Sequence, residues 1–383
     1  MFEPGCQTHF PIEGKSGARL FFSGKSGLAE RLPIQIKYNA RDMRKSANHE
    51  QICWDILPAV SRSFALCIQK LPKGLDERMM IAYLILRLID TIEDSPAPVE
   101  TKRAAFDQIL ELLAATPPVN RQKAAAYRDF LLTNIDYSYE KILLENLQSL
   151  LEVFHGFNAE EKSAILGCAR EMAEGMLKFQ GKAIESLTVQ EEYCYYVAGI
   201  VGHLNSRLFH LSGQLLENPD ERFLELAKRF GIALQKVNIL RDVAYDVPQG
   251  RNFWPLDLLK AHGLSYETLC LPENRKAAMA VLEVIVKDAL PYLEDALAYT
   301  KRIPRSSIRV RVFCLIPLFM AVESYAKCVD NEDIFNSGKT VKISKSDVAR
   351  IVRNSFLLAP SNWALQQWFN IGLRTVRQKL ARK

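Results

Sequence analysis

Apolar residues recur along most of this chain with the spacing of an α-helix. Stripes at steps of three and four run through residues 49–67, 78–93, 102–115, 124–152 and 158–179. They resume at 190–216, 221–245, 275–301, 307–328 and 346–373, the period of helices that bury one face. The breaks carry helix-stopping residues, as in Thr116-Pro117-Pro118, Asn218-Pro219-Asp220, Val247-Pro248-Gln249-Gly250 and Ile303-Pro304. No series of segments alternates with the period of two that strands need; only residues 340–343 read as extended. Residues 1–44 are rich in Gly, Pro and charge without periodicity and read as an irregular lead-in. Residues 45–383 show no repeat and no linker, so the pattern predicts an all-α fold in one helical domain.

Two stripes break their own apolar pattern with charge. In Tyr83-Leu-Ile-Leu-Arg87-Leu-Ile-Asp90-Thr-Ile-Glu93-Asp94, steps of four, three and four put Tyr83, Arg87, Asp90 and Asp94 on one helical face. In Gln235-Lys-Val-Asn238-Ile-Leu-Arg241-Asp242-Val-Ala-Tyr245-Asp246, Gln235, Asn238, Asp242 and Asp246 share a face in the same way. Both pairs precede a break and so lie at C-terminal helix ends, where the helix dipole disfavours negative charge. A solvated acidic helix end explains either motif alone. Two such faces opposed across a bundle would instead share a hard divalent cation. Mg²⁺ fits, because it binds through a few carboxylates plus substrate phosphates. Arg62, Arg87, Arg241 and Arg251 are candidate phosphate partners, or else surface charges and salt bridges to nearby Asp.

A third segment, Tyr193-Cys-Tyr-Tyr-Val-Ala-Gly199-Ile-Val-Gly202, sets glycines inside a helical pattern. Each costs roughly 1 kcal/mol relative to Ala, which a close ligand or tight helix packing would justify. The tyrosine hydroxyls are candidate proton carriers or hydrogen-bond donors to a diphosphate.

Composition narrows the partners. Hydrophobic residues make up 48% and charged residues 25% of the chain, an ordinary globular balance. The net charge of +6 comes without a dense Lys/Arg run, so no nucleic-acid partner is expected. The excess suits a polyanionic substrate or peripheral contact with an anionic membrane. Eight cysteines form no CxxC pair and read as buried thiols in a reducing cytoplasm rather than a zinc site. The opening residues lack a secretory pattern. The longest apolar run, 312–322, falls short of the roughly 20 residues that span a bilayer. A cytoplasmic protein without a transmembrane anchor is the expectation.

In combination these motifs resemble the squalene and phytoene synthase family, its squalene synthase branch above all. The resemblance rests on SRSFALCIQ from Ser61, YLILRLIDTIED from Tyr83, EYCYYVAGIVG from Glu192, LQKVNILRDVAYD from Leu234, GRNFWP from Gly250 and VFCLIPLFMA from Val312. It implies the class I isoprenoid synthase bundle with a central cavity. It further implies Mg²⁺-dependent head-to-head condensation of two farnesyl diphosphates to presqualene diphosphate, then rearrangement and reduction to squalene by NADPH, with NADH as the alternative donor. Asp90, Asp94, Asp242 and Asp246 would hold metal and diphosphate, with Glu93 assisting. Tyr193 would be the acid/base tyrosine. Ser61, Arg62, Phe64, Tyr83, Arg87, Gln235, Asn238 and Arg241 would contact substrate. Phe313, Cys314, Pro317, Lys342 and Lys345 would serve the nicotinamide cofactor.

Three departures stand out. Ser344 replaces a basic residue in the cofactor stretch, Tyr245 replaces a glutamate, and the C-terminal membrane anchor of eukaryotic members has no counterpart within residues 1–383. The tail from Ser355 has the apolar and basic make-up of a closing core helix or an interfacial one. A non-reducing relative making dehydrosqualene, phytoene or presqualene diphosphate is the alternative enzyme, and a non-catalytic scaffold the alternative class. A monomer is expected.

Overall fold

A computed structural model describes residues 49–134, 141–339 and 341–382. The lead-in predicted for residues 1–44 lies outside them. The N-terminal half contains α1 (His49–Val60), α2 (Arg62–Ile68), α3 (Leu75–Glu93), α4 (Val99–Ala114), α5 (Arg121–Asn134), α6 (Lys141–Glu145), α7 (Leu147–His155) and α8 (Ala159–Phe179). Then come α9 (Leu187–Cys194), a π-turn (Tyr195–Gly199), α10 (Ile200–Leu211), α11 (Glu221–Arg241) and the single turn α12 (Val243–Asp246). The chain closes with α13 (Leu256–Ala261), α14 (Tyr266–Leu269), α15 (Arg275–Arg302), α16 (Ile308–Cys328), α17 (Lys345–Leu358) and α18 (Asn362–Leu380). No strand forms among the described residues, and 341–344, expected in part as extended, is irregular.

The stripes map onto helices with local differences; 49–67 splits into α1 and α2, and 346–373 into α17 and α18. The pattern over 124–152 resolves into α5, α6 and α7, with residues 135–140 not described. The pattern over 190–216 is interrupted by the π-turn, a feature found often at functional sites. The helix expected through residue 245 breaks at Asp242, whose backbone leaves the helical region before α12 resumes.

The helices α3, α8, α10, α11, α15 and α16 pack around a continuous apolar core. Small residues set how closely α10 and the π-turn approach α11. A Cβ on Gly231 would sit 2.1 Å from the Ala198 carbonyl oxygen, and one on Gly202 would sit 2.1 Å from that of Ala227. Both obstacles are backbone, so neither can rotate away. Beside this contact lie two adjoining apolar cavities that share Phe64, Val201, Asn205 and Phe313. Their free volumes are small, about 50 and 30 Å³, and their walls are mainly apolar side chains.

The tail closes the core. Leu365, Phe369, Leu373 and Val376 of α18 are buried, while Arg374 and Arg377 are exposed. Six of the cysteines are buried free thiols and Cys270 is half-buried; Cys6 lies outside the described residues.

Gly231→Ala should lower stability by about 1–3 kcal/mol through overpacking. Gly167→Ala, where a Cβ meets nothing within 4 Å, should be neutral or raise stability by up to about 1 kcal/mol. Denaturant unfolding of the pair checks the contrast.

Candidate active site

Almost every residue of α3 is buried, including the charged ones near its end. Arg87, only 3% exposed, donates from Nη1 to Asp90, which is fully buried. Thr91 anchors the same turn by donating to the Arg87 carbonyl at 2.7 Å. Asp94 caps the helix end. Burial pushes its carboxyl well above the usual carboxylate range; Asp90 adds to this, Arg251 and Arg87 pull it back, and Glu93 adds a further push. The terminal carbonyl of Glu93 accepts from Lys102 Nζ at 2.7 Å, and the same ammonium reaches Gln180 at 3.1 Å. Burial pulls Lys102 below its ordinary range, against the raising pull of Glu93 and Asp94. A buried cation thus lies just beside the acidic helix end.

The end of α11 repeats the scheme. Arg241 grips Asp242 with a two-pronged fork, Nε–Oδ1 at 2.9 Å and Nη2–Oδ2 at 2.6 Å. One turn on, Arg251 Nη1 lies 3.4 Å from Asp246 Oδ1, and its backbone N–H donates to the Asp246 carbonyl at 3.1 Å. That return requires Gly250, whose φ of 72° lies in the left-handed region. Arg251 therefore holds Asp246 while acting electrostatically on both Asp94 and Lys102. Through it the two acidic helix ends come together. Gln235 and Asn238 are buried on the same helix, linked at 3.4 Å. The Asn238 side-chain oxygen is buried without a hydrogen-bond partner among the described residues.

Tyr193 lies against this cluster. Its ring stacks on Phe253 at 4.9 Å and meets Phe179 edge-on at 5.5 Å. Burial raises its phenol well above the ordinary value, and the charges of Glu93, Asp90 and Asp94 raise it further. The hydroxyl is buried and makes no hydrogen bond among the described residues. Both burial and the charges of the acidic helix end disfavour ionising it.

Phe253 is fixed from below. Its carbonyl accepts from Gln190 at 2.8 Å; Gln190 in turn accepts from Lys236 Nζ at 3.2 Å, and Lys236, fully buried, is paired with Asp288 at 2.7 Å. Trp254 donates to the Ile239 carbonyl, and Leu256 and Asp257 pair with the backbone of Ile184 and Glu185. Sequence reasoning missed Lys102, Gln190 and Lys236. The signal was a lysine at an apolar position of a helical stripe, for Lys102 and Lys236 alike.

The other sequence-predicted residues fall in three places. Ser61 caps α2, accepting from the Phe64 N–H at 3.2 Å, and Phe64 stacks on Tyr83 at 5.3 Å. Phe64, Tyr83, Phe313, Cys314 and Pro317 all line the apolar cavities. Arg62 is exposed and makes no hydrogen bond or ion pair among the described residues. Lys342 and Lys345 are exposed just before and at the start of α17, whose Asp347 pairs with Lys327 at 3.0 Å. The cofactor set thus divides. Pro317 and Lys327 are separated by roughly 15 Å of helix at 1.5 Å per residue. Lys327 neighbours Cys328, which feels the charges of Arg241 and Asp242, so the two lysines lie toward the acidic end. Ser344 is the N-cap of α17, in a reciprocal box with Asp347.

Among the described residues, no three His, Cys, Asp or Glu side chains converge as a ready-made metal cage. The carboxylates at Asp90, Asp242 and Asp246 face arginines instead. The donor set is all oxygen, however, and the burial and repulsion that raise Asp94 are what a hard cation would offset. It fits Mg²⁺ brought in with a diphosphate, since that ion needs only one or two carboxylates besides phosphate and water.

Comparison with known proteins agrees with this geometry. The sequence model described as squalene/phytoene synthase matches residues 57–347. The squalene synthase of Schizosaccharomyces pombe is 31% identical over 79% of this chain, which spans 64% of that protein. That of Nicotiana benthamiana is 32% identical over 85% of this chain and 76% of its own length. Among solved structures, TcSQS in complex with the ligand E5700 superposes with a TM-score of 0.73 at 26% identity, covering 87% of this chain and 96% of that one. The chain belongs to the squalene/phytoene synthase family, as an enzyme of that type with the all-helical isoprenoid synthase fold.

Because the Asp94 carboxyl is raised on folding, its contribution to stability is present below the unfolded pKa and lost as pH rises through the folded value. Asp94→Asn should therefore melt higher than the parent at neutral pH without metal. The gain should fade as pH falls toward 4. Thermal melts across pH read the crossover.

Proposed function

We propose that this member of the squalene/phytoene synthase family condenses two molecules of farnesyl diphosphate and reduces the product to squalene. The observation that carries the reading is the meeting of two arginine-paired acidic helix ends, through Arg251, above an apolar cavity. The polar end suits a diphosphate. The cavity suits a prenyl chain, since Tyr83 and Leu234 line it on the same two helices that carry the acids. Tyr83 precedes Asp94 by roughly 16 Å of helix at 1.5 Å per residue, enough to lay an extended isoprenoid along it.

In this reading Asp90, Asp94, Asp242 and Asp246, with Glu93 assisting, would hold Mg²⁺, which supplies charge neutralisation to the departing diphosphate. Arg87, Arg241 and Arg251 would exchange carboxylate for phosphate oxygens as substrate enters, and exposed Arg62 would take a further phosphate oxygen. Phe64 and Tyr83 would line the prenyl chain, with Ser61 holding the α2 terminus in place. Gln235 and Asn238 would orient the second substrate. Aromatic faces at Phe253, Phe179 and Tyr193 would steady the allylic cation and exclude water. Carbon–carbon bond formation and ring closure release one proton. Tyr193, held neutral, would accept it on oxygen while passing its own proton to the departed diphosphate.

For the reductive half, Phe313, Cys314 and Pro317 would wall the space where nicotinamide meets the intermediate. Lys342 and Lys345 would hold the phosphates of NADPH, or of NADH. Ser344, a neutral hydroxyl, contributes no charge there and serves as a helix cap.

Three outcomes are expected. Farnesyl diphosphate with Mg²⁺ and NADPH yields squalene; an unchanged product with and without NADPH places the chain in the non-reducing branch. Asp90→Ala and Asp242→Ala each lower kcat by about 10²–10³ or more, the scale for losing one preorganised electrostatic group, and intact activity would refute the two-cluster site. Lys342→Glu with Lys345→Glu raises KM for NADPH and leaves presqualene diphosphate formation unchanged.

A further inference from the structure

Large apolar side chains are exposed together at the end of the bundle opposite the acidic cluster. Leu216, Leu357 and Trp363 are 86%, 69% and 74% exposed, and Phe356 and Ile308 are exposed beside them. They come from three connections that hydrogen bonds tie into one corner. Ser307 donates to the Gln214 carbonyl at 2.8 Å, joining the turn before Ile308 to the loop carrying Leu216. Asn362, next to Trp363, donates to the Lys301 carbonyl at 3.3 Å and accepts from Arg311, which also donates to Ile303 at 2.7 Å. A fourth loop joins where Arg309 donates to the Leu71 carbonyl at 3.3 Å.

Cations ring this corner. Arg305, Arg309 and Arg353 are exposed and Lys70 half-exposed, and none of the four has an acidic partner among the described residues. Cations elsewhere on the surface are commonly paired, as in Arg377–Glu294, Arg350–Glu323 and Arg207–Glu160. The corner also lies directly outside the apolar cavities. Phe209, Phe313 and Ile68 line them, each within about a helical turn of the loops named above.

We propose that this corner is a docking surface for an anionic lipid bilayer, with Leu357, Trp363, Phe356 and Leu216 entering the interface and Lys70, Arg305, Arg309 and Arg353 meeting the headgroups. Exposed aromatic and leucine side chains framed by unpaired arginine and lysine are the chemistry of an interfacial contact. No helix among the described residues is long and apolar enough to cross a membrane, so this contact rests on the surface. It sets the far end of the cavities against lipid, where an apolar chain can pass between protein and bilayer without crossing water. The docking does not depend on which reaction the acidic end performs.

The test is vesicle co-sedimentation of the full chain with phosphatidylcholine alone and with equimolar phosphatidylcholine and phosphatidylglycerol. The wild type should bind the anionic vesicles, more weakly as salt rises, and acyl-brominated lipid should quench Trp363. Loss of each cation in Arg305→Gln and Arg353→Gln should lower the partition coefficient by about fivefold. Leu357→Asp with Trp363→Ser should abolish binding while turnover of detergent-dispersed substrate and the melting temperature stay unchanged. Wild-type binding that is absent, indifferent to lipid charge, or untouched by these substitutions overturns the proposal. So does a concentration-dependent dimer lost in the Leu357→Asp, Trp363→Ser variant, which would assign the face to a second copy.

Discussion

Carboxylates held at the C-terminal ends of two buried helices are the constraint around which this molecule is built. The helix dipole, burial and mutual repulsion all oppose charge there. The structure answers with arginine: Arg87 on Asp90, Arg241 on Asp242 and Arg251 on Asp246. Losing one partner of such a pair typically costs about 3–5 kcal/mol, so these pairs determine more than their own positions. Arg251 binds one end and acts on the other, and its placement depends on the left-handed turn at Gly250. That turn in turn depends on Trp254 and the paired backbones of 184–185 and 256–257.

The polar end and the apolar cavity make opposite demands, and the same helices meet both. Along α3 the face that ends in Asp90 and Asp94 begins with Tyr83 on the cavity wall. Along α11 the face that ends in Asp242 begins with Ala227, whose carbonyl packs against Gly202, and Gly231, which lets the Ala198 backbone approach. Polar and apolar faces thus lie along the same two helices. Tyr193 stands at the junction, and the buried Lys236–Gln190 relay holds its stacking partner Phe253.

Much of this was legible in the sequence. The 3.6-residue stripes gave the helices, and steps of three and four placed Arg87, Asp90 and Asp94 on one face. What periodicity does not report is pairing between distant segments. The Arg251 link and the Lys236 network depend on contacts tens of residues apart, and the Lys102 cap on α3 reaches back across the turn between two helices. The π-turn at Tyr195–Gly199 and the break at Asp242 are departures of one or two residues from helical geometry. The glycines left two readings open. Gly202 permits close helix packing and lines the cavity, and so does Gly231 on the facing helix, outside the segment from Tyr193 to Gly202.

The central claim is that both acidic helix ends act together on one diphosphate through Mg²⁺. Calorimetric binding of a farnesyl diphosphate analogue, with sulfur in place of the bridging oxygen so that it does not ionise, tests it most directly. The account predicts tight binding only with Mg²⁺, lost both in Asp94→Ala on the first helix and in Asp246→Ala beyond the second. Binding that is independent of Mg²⁺, or that survives either substitution, would contradict it.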